Sequence, residues 1–339
     1  MTVVAGITER TFARPRVVVS RCIEFDPCRY DGSRIPSREV ALLKEHAECI
    51  PVCPEVEIGL GVPRPAVRLV RVGEADRLVQ PATGRDVTDA MVRFTAEFLG
   101  GLPPVDGFIL KGGSPTSGPR NVKVYPGPGR SAATGRAAGL FAREVLRRFP
   151  LLPVEDEQRL RNGRIRDHFL TRIFTLASFR GVEEAGDPGR LVAFHAENKL
   201  LLLAHSQDLA RRMGRLLSVR ATVDREALFG AYRAMLCEAL ARVPRYTQNV
   251  NVLLHVLGHF RDRVTRGEKE YFLRLVERYR EGTARLAEPR DLLSSWVIRF
   301  REESLVDQTF FAPLPPALGS LPDEVTDRGR DMFGDGPRR

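Results

Sequence analysis

RVVVSRCIEFDPCRYDG, residues 16–32, reads as a buried strand that runs directly into a pair of thiols. Val17, Val18 and Val19 form an unbroken apolar run without polar alternation. That is the pattern of a strand covered on both faces, as in a parallel sheet. Cys22 and Cys28 follow at once in the loop. Three further short apolar runs lie between prolines and glycines: CIPVC (49–53), DGFILK (106–111) and VKVY (122–125). The segments between them, 37–48 and 86–99, have helical spacing, with Thr88 or Asp86 as the expected cap of the second, and another helix is expected over about 133–148. Strands alternating with helices predict an α/β domain, Rossmann-like with a mostly parallel sheet, over residues 16–150. In such sheets the ligand site lies beyond the carboxyl ends of the strands. Cys22, Cys53 and the loop Ser114-Pro-Thr-Ser-Gly118 fall there.

The pattern changes after Leu151-Leu-Pro-Val-Glu-Asp156. From 155 onward apolar residues recur at i, i+3 and i+4 through 189–205, 225–242, 249–264 and 269–284, predicting an all-α domain over residues 155–312. Residues 1–15 and 313–339 are expected to be flexible tails. The second of these is rich in proline, glycine, aspartate and arginine.

Composition narrows the function classes. The chain has 339 residues, 43% hydrophobic and 28% charged, ordinary for a globular protein. No apolar run approaches the roughly 18–20 residues of a membrane span, and the first residues lack the apolar core of a secretory signal. A cytoplasmic location is therefore expected, and with it reduced thiols. Four of the five cysteines fall in the first 53 residues, and clustered thiols in a reducing compartment point to metal or catalysis more than to disulfides. The net charge is +10, and only five of the 53 basic residues are lysine. Arginine pairs bidentately with phosphate and stacks on bases, which suits an RNA partner. A GC-rich genome accounts for the same bias. No feature points to an obligate protein partner.

Six motifs, in order, give a resemblance to the thiouracil desulfidase (TudS-like) family: S-x-C (Ser20–Cys22), C-R-Y-D-G (Cys28–Gly32), C-P-E-x-x-x-G-L-x-x-P-R (Cys53–Arg64), T-G-x-D-V-T (Thr83–Thr88), D-G-F-I-L-K-x-x-S-P (Asp106–Pro115) and V-K-V-Y (Val122–Tyr125). The second half resembles the YbgA-like helical domain through F-H-A-x-N-K-x-x-L-x-A-H-S (Phe194–Ser206), N-V-x-x-H-V-L-G-H-F (Asn251–Phe260) and E-K-x-x-F-x-x-x-V-E-R-Y-R (Glu268–Arg280). Fusions of the two resemble bacterial desulfidases that remove sulfur from 4-thiouridine in tRNA.

The resemblance implies a [4Fe–4S] cluster held by Cys22, Cys28 and Cys53, with one iron left without a protein ligand. Thiolates favour such clusters or zinc. It also implies that Glu55 handles the proton and that Ser114 lies close to the substrate carbon. Many relatives carry a further cysteine in the last loop, as S-P-S-C-G. Here Ser117 stands in that place, so the loop supplies no thiolate. Arg29, Lys111 and Ser117 are candidate substrate contacts, and Lys111 is alternatively a partner for Glu55. Cys49 precedes its motif and reads as a small buried residue, as does Cys237 in the helical run AMLCEAL.

Other residues leave alternatives open. His255 and His259 share one helix face, where a zinc pair or simple packing is possible. Arg161, Arg164 and Arg166, with His168, form one basic stretch and Arg211, Arg212 and Arg215 another; either is a solvated face, or together they suggest an electrostatic track for a tRNA backbone. Two rival functions remain: a desulfidase of free thiouracil or another small thiolated compound, and an RNA-binding accessory protein with a structural cluster.

Overall fold

Val17, Val18 and Val19 are fully buried because their strand, β1 (Arg16–Ser20), lies inside a sheet with neighbours on both sides. This computed structural model describes residues 10–321; the segments 1–9 and 322–339 of the expected tails lie outside the described residues. The chain forms two compact units. One comprises Arg14–Ile173 with Ala317–Leu321, and the other is built mainly from Phe174–Pro316.

The first unit begins with β1, followed by α1 (Arg38–His46) and β2 (Glu48–Val52). Ser37 caps α1, its hydroxyl accepting from the Val40 N–H. The short α2 (Pro54–Glu57) comes next, then β3 (Arg68–Val72), β4 (Ala75–Gln80), β5 (Arg85–Asp86) and α3 (Thr88–Gly100). Val87, not Thr88 or Asp86, occupies the cap position of α3, while Asp86 Oδ1 accepts from the Thr88 N–H at 2.9 Å. The remaining elements are β6 (Gly107–Leu110), β7 (Val122–Tyr125), β8 (Gly135–Ala137), α4 (Leu140–Arg148) and β9 (Val154–Asp156).

Two sheets result. The first is four-stranded and wholly parallel, in the order β2-β1-β6-β9. From β1 the chain goes to β2 on one side and later to β6 on the other, so the strand order reverses beside β1. That makes the β1–β6 edge the crevice where such sheets take ligands. The second sheet runs β5-β4-β3-β7-β8 and is mixed, with only β3 and β7 parallel. A mostly parallel sheet therefore describes the first and not the second, and VKVY belongs to the second. Phe108 and Phe141, both fully buried, join Val18, Leu69, Leu78 and Met91 in the core of this unit. Burying a phenylalanine side chain of this kind contributes about 1.5–3 kcal/mol.

The expected helix over 133–148 is shorter than the reading gave, because Gly135–Ala137 pairs with β7. Gly139 then starts α4 against the loop of Ser114. A β-carbon there would stand 2.4 Å from the Thr116 carbonyl oxygen, which only glycine permits. The expected start of the helical region at 155 also shifts. Val154–Asp156 is the edge strand β9, paired with Phe108–Leu110, and a 3₁₀ turn at Arg159–Arg161 precedes α5 (Gly163–Ala185).

The second unit is helical: α6 (Pro188–Glu197), α7 (Lys199–His205), α8 (Gln207–Ser218), α9 (Arg225–Leu240), α10 (Tyr246–Gly258), α11 (Arg266–Arg280) and α12 (Ala287–Phe300) carry it. Its core centres on Trp296, which packs against Phe260 and Phe272 at 6.0 and 5.6 Å between ring centres. Residues 10–13 join it, with Phe12 edge-on to Phe174, and Leu318 is fully buried. Parts of both expected tails are thus packed.

Candidate active site

Each strand of the parallel sheet ends in residues that converge on one place. Beyond β1 come Ser20 and Cys22, beyond β2 Cys53 and Glu55, beyond β6 Lys111 and Ser114, and beyond β9 Glu157. Ser20 Oγ accepts from the Lys111 N–H at 2.9 Å, tying the ends of β1 and β6 together. Most of these groups line a cavity of about 190 Å³, along with Cys28, Arg29, Tyr30, Arg64, Thr116 and Ser117.

The thiols come first. Cys22, Cys28 and Cys53 are buried and unpaired by disulfide. The Cys28 thiol interacts electrostatically with both the others and with Arg21. Contact with Cys22 chiefly holds the Cys28 thiol above its ordinary range. Contact with Cys28, then burial, pushes Cys53 far up. Cys28 and Cys53 are therefore poor acids unless a cation takes up their charge. Among the described residues no three His, Cys, Asp or Glu side chains form a ready site for a single metal ion. The donor set nonetheless fits a cluster held at three corners: three soft sulfurs from two strand ends, with Arg21 and Arg64 beside them to offset negative charge. Cys49 lies apart. It is four residues before Cys53, about 13 Å at strand rise, pairs opposite Val17 in β2, and burial pushes its thiol up to about 11. Cys237 is buried on α9.

Glu55 is buried within α2. Its Oε2 receives Arg64 Nε at 2.8 Å and Nη2 at 2.7 Å, and its Oε1 receives the Thr116 hydroxyl at 2.8 Å. The rest of the Arg64 guanidinium is used on the thiol loop. Nη1 donates to the Cys28 and Gly61 carbonyls at 3.0 Å each, and Nη2 lies 3.9 Å from Cys53 Sγ. Gly61, with φ of +74°, turns its carbonyl to this task in a conformation other residues avoid. One buried arginine thus fixes the carboxylate and the cysteine loop together.

Ser114 Oγ lies 2.8 Å from Thr116 Oγ1 and accepts from the Thr116 and Ser117 N–H groups at 3.2 and 3.1 Å. Ser117 is buried and helps line the cavity. Arg29 donates to Ser33 Oγ at 2.7 Å and lies over the Tyr30 ring at 5.5 Å. Lys111 pairs with buried Glu157 at 2.7 Å, not with Glu55. Glu157 also accepts the Gly112 N–H at 2.8 Å and so braces the loop after β6. Arg64, Thr116 and Glu157 were not singled out in the sequence. Arg64 lies inside a matched motif and Thr116 just beyond the end of one, but their partners sit across irregular loops that no spacing rule reads.

The polar groups of the helical unit are mostly bonded internally. His195 Nδ1 meets the Tyr232 hydroxyl at 3.1 Å, and burial lowers its pKa. His205 Nδ1 lies 3.3 Å from the Arg242 carbonyl. His255 and His259 stack edge to face, and His259 faces Glu302 at 3.9 Å. Asn198 bonds Thr309 at 2.9 Å. Of the arginines expected to form a track, Arg166 is buried and donates to the Leu160 and Leu321 carbonyls, so it leaves that set. Arg211 and Arg215 are exposed, and Arg212 faces Asp208 at 3.7 Å.

Comparison with known proteins places these observations. Residues 17–157 match the family model of 2-thiouracil desulfurase, and residues 199–315 match that of a protein of unknown function, DUF1722. An uncharacterized protein of Escherichia coli (strain K12), YbgA, is 28% identical over 157 residues, covering 46% of this chain and 93% of that protein. An uncharacterized protein of Bacillus subtilis (strain 168), YbbK, is 28% identical over 137 residues, covering 36% of this chain and 91% of that protein. A solved structure, the [4Fe-4S]-dependent thiouracil desulfidase TudS, is 31% identical. It covers 43% of this chain and 93% of its own, with a TM-score of 0.35. Residues 17–157 thus carry a 2-thiouracil desulfurase domain by that match, and residues 199–315 a DUF1722 domain.

Proposed function

We propose that this protein is a [4Fe–4S]-dependent, non-redox desulfidase acting on thiolated pyrimidine, with 4-thiouridine in tRNA as its substrate. The observation that carries the reading is the convergence of three buried thiols with Glu55 and Ser114 on one cavity at the strand ends. The similarity to TudS supports the cofactor and the reaction class.

Cys22, Cys28 and Cys53 hold the cluster. Bound there, it would supply a soft Lewis acid for a thiocarbonyl sulfur. The chain's own groups do the rest. Ser114 Oγ is the attacking oxygen on the ring carbon, and two backbone N–H groups steady the charge it gains. Glu55 takes and returns the proton. The C–S bond breaks, water displaces Ser114 from carbon, and the net change is C=S plus H₂O to C=O plus H₂S. Sulfur leaves at the oxidation level it had in the substrate, so no electron donor is needed. Arg29 and Ser117 are placed on the cavity to contact substrate, whereas Lys111, paired with Glu157, shapes the loop that carries Ser114.

The tRNA assignment rests on the charge of +10, nearly all of it arginine, and on Arg211 and Arg215 exposed on α8. Charge reversal of both should weaken tRNA binding and flatten its salt dependence, since each lost phosphate contact removes about one unit of the log–log slope. Sulfide release from free 4-thiouracil should stay unchanged. Salt-insensitive turnover of thiolated tRNA, or equal impairment on the free base, would move the reading to a small-molecule desulfidase.

A further inference from the structure

Glu55 and Ser114 share no direct hydrogen bond among the described residues. Each is bonded to Thr116 instead. Thr116 Oγ1 donates to Glu55 Oε1 at 2.8 Å and lies 2.8 Å from Ser114 Oγ. A carboxylate oxygen only accepts, so the threonine hydrogen is committed to Glu55. The bond between the two hydroxyls then has one sense: Ser114 donates and Thr116 accepts. Arg64 holds the other oxygen of Glu55 twice over, which leaves Oε1 facing Thr116. The hydroxyl is buried with its residue, 1% exposed, and its backbone is pressed by Gly139. It can neither exchange with solvent nor swing away easily.

We infer that Thr116 is a positioning and relay residue, carrying the proton between Ser114 and Glu55. When Ser114 Oγ bonds to carbon, its proton passes to Thr116 Oγ1 as the threonine proton passes to Glu55 Oε1. The reverse shift restores Ser114 when water displaces it. No group is consumed and charge balances at every point. The two N–H bonds to Ser114 Oγ stabilise the oxygen as it loses its proton. The inference rests on the roles given to Glu55 and Ser114 above.

The test uses Thr116→Val, which removes the hydroxyl at nearly constant shape, and Thr116→Ser, which returns it. With thiolated substrate, Thr116→Val should lose kcat by about 10²-fold or more, in the range for a lost acid–base element. KM and iron content should stay near wild type, and Thr116→Ser should recover most of kcat. A second readout needs neither cluster nor substrate. A fluorophosphonate probe forms an Oγ–P bond at an activated serine and expels fluoride, while the serine proton departs along the same relay. Peptide mass spectrometry should show Ser114 labelled in wild type and in Thr116→Ser, and at least tenfold more slowly in Thr116→Val. Equal labelling rates in the three proteins, or none in wild type, overturn the relay even if no thiopyrimidine turns over. So does a Thr116→Val enzyme with near-normal kcat, a Thr116→Ser enzyme as impaired as Thr116→Val, or loss of iron from either. Relay-dependent labelling without sulfide release would keep the relay and refute the desulfidase reading.

Discussion

Serine in place of Cys22, Cys28 or Cys53 should each strip the protein of iron, while Cys49→Ser keeps it. All three thiols are buried on the cavity wall, and Cys28 interacts with both Cys22 and Cys53. Removing one leaves two soft donors where three corners are needed, and a hard hydroxyl does not replace a thiolate. Cys49 lies about 13 Å back along β2, where it is half-buried rather than fully buried as expected, and burial pushes its thiol up to about 11. The measurements are iron content and the broad visible absorbance of anaerobically purified protein, with thermal melting to confirm that each variant folds. Retention of iron by Cys28→Ser together with its loss from Cys49→Ser would show the ligand set to be wrong.

Glu55→Gln and Ser114→Ala should keep the iron and lose about 10²–10⁴-fold in turnover. In the proposed mechanism neither side chain is a ligand, and both belong to the attack and proton steps. Glu55→Gln carries a further cost, because it leaves Arg64 buried with a neutral partner. Breaking a buried ion pair of this kind costs about 3–5 kcal/mol when one charge is removed outright, so a fall in melting temperature should accompany the loss of activity. Ser114→Ala should show little such fall, since its side chain contributes only local loop bonds. Ser117→Ala tests the assignment within the loop: it should be the milder of the two serine variants. If it is the more damaging, the attacking oxygen has been given to the wrong residue.

The two central strands of the parallel sheet, β1 and β6, were legible because they are buried on both faces. Val17–Val19 and Gly107–Leu110 are continuous buried runs, and such runs announce themselves in sequence. Of the second sheet, only VKVY (β7) was. Arg68-Leu-Val-Arg-Val72 and Ala75-Asp-Arg-Leu-Val-Gln80 mix charge with apolar residues because part of each strand meets solvent. Gly135–Ala137 is three residues long and owes its strand form to pairing with β7 alone. Val154–Asp156 sits where the chain changes from one pattern to the next. At the site, the thiols, Glu55 and Ser114 stood out through motifs. The groups that hold them did not: Arg64 reaches Glu55 across a loop of two left-handed glycines, and Thr116 reaches it across 61 residues of sequence. Lys111 was open to a pairing with Glu55, because Glu157 comes from the far edge strand and nothing local links the two.

The central claim is that three cysteines hold one cluster which, with Glu55 and Ser114, removes sulfur without redox chemistry. The most direct measurement is the stoichiometry of anaerobically purified protein incubated with 4-thiouracil and with 4-thiouridine-containing tRNA, with no electron donor or acceptor present. The account predicts about four irons per chain and one sulfide released for each thiocarbonyl converted to carbonyl. Protein that carries its iron but releases no sulfide from either substrate, or does so only when electrons are supplied, would contradict it.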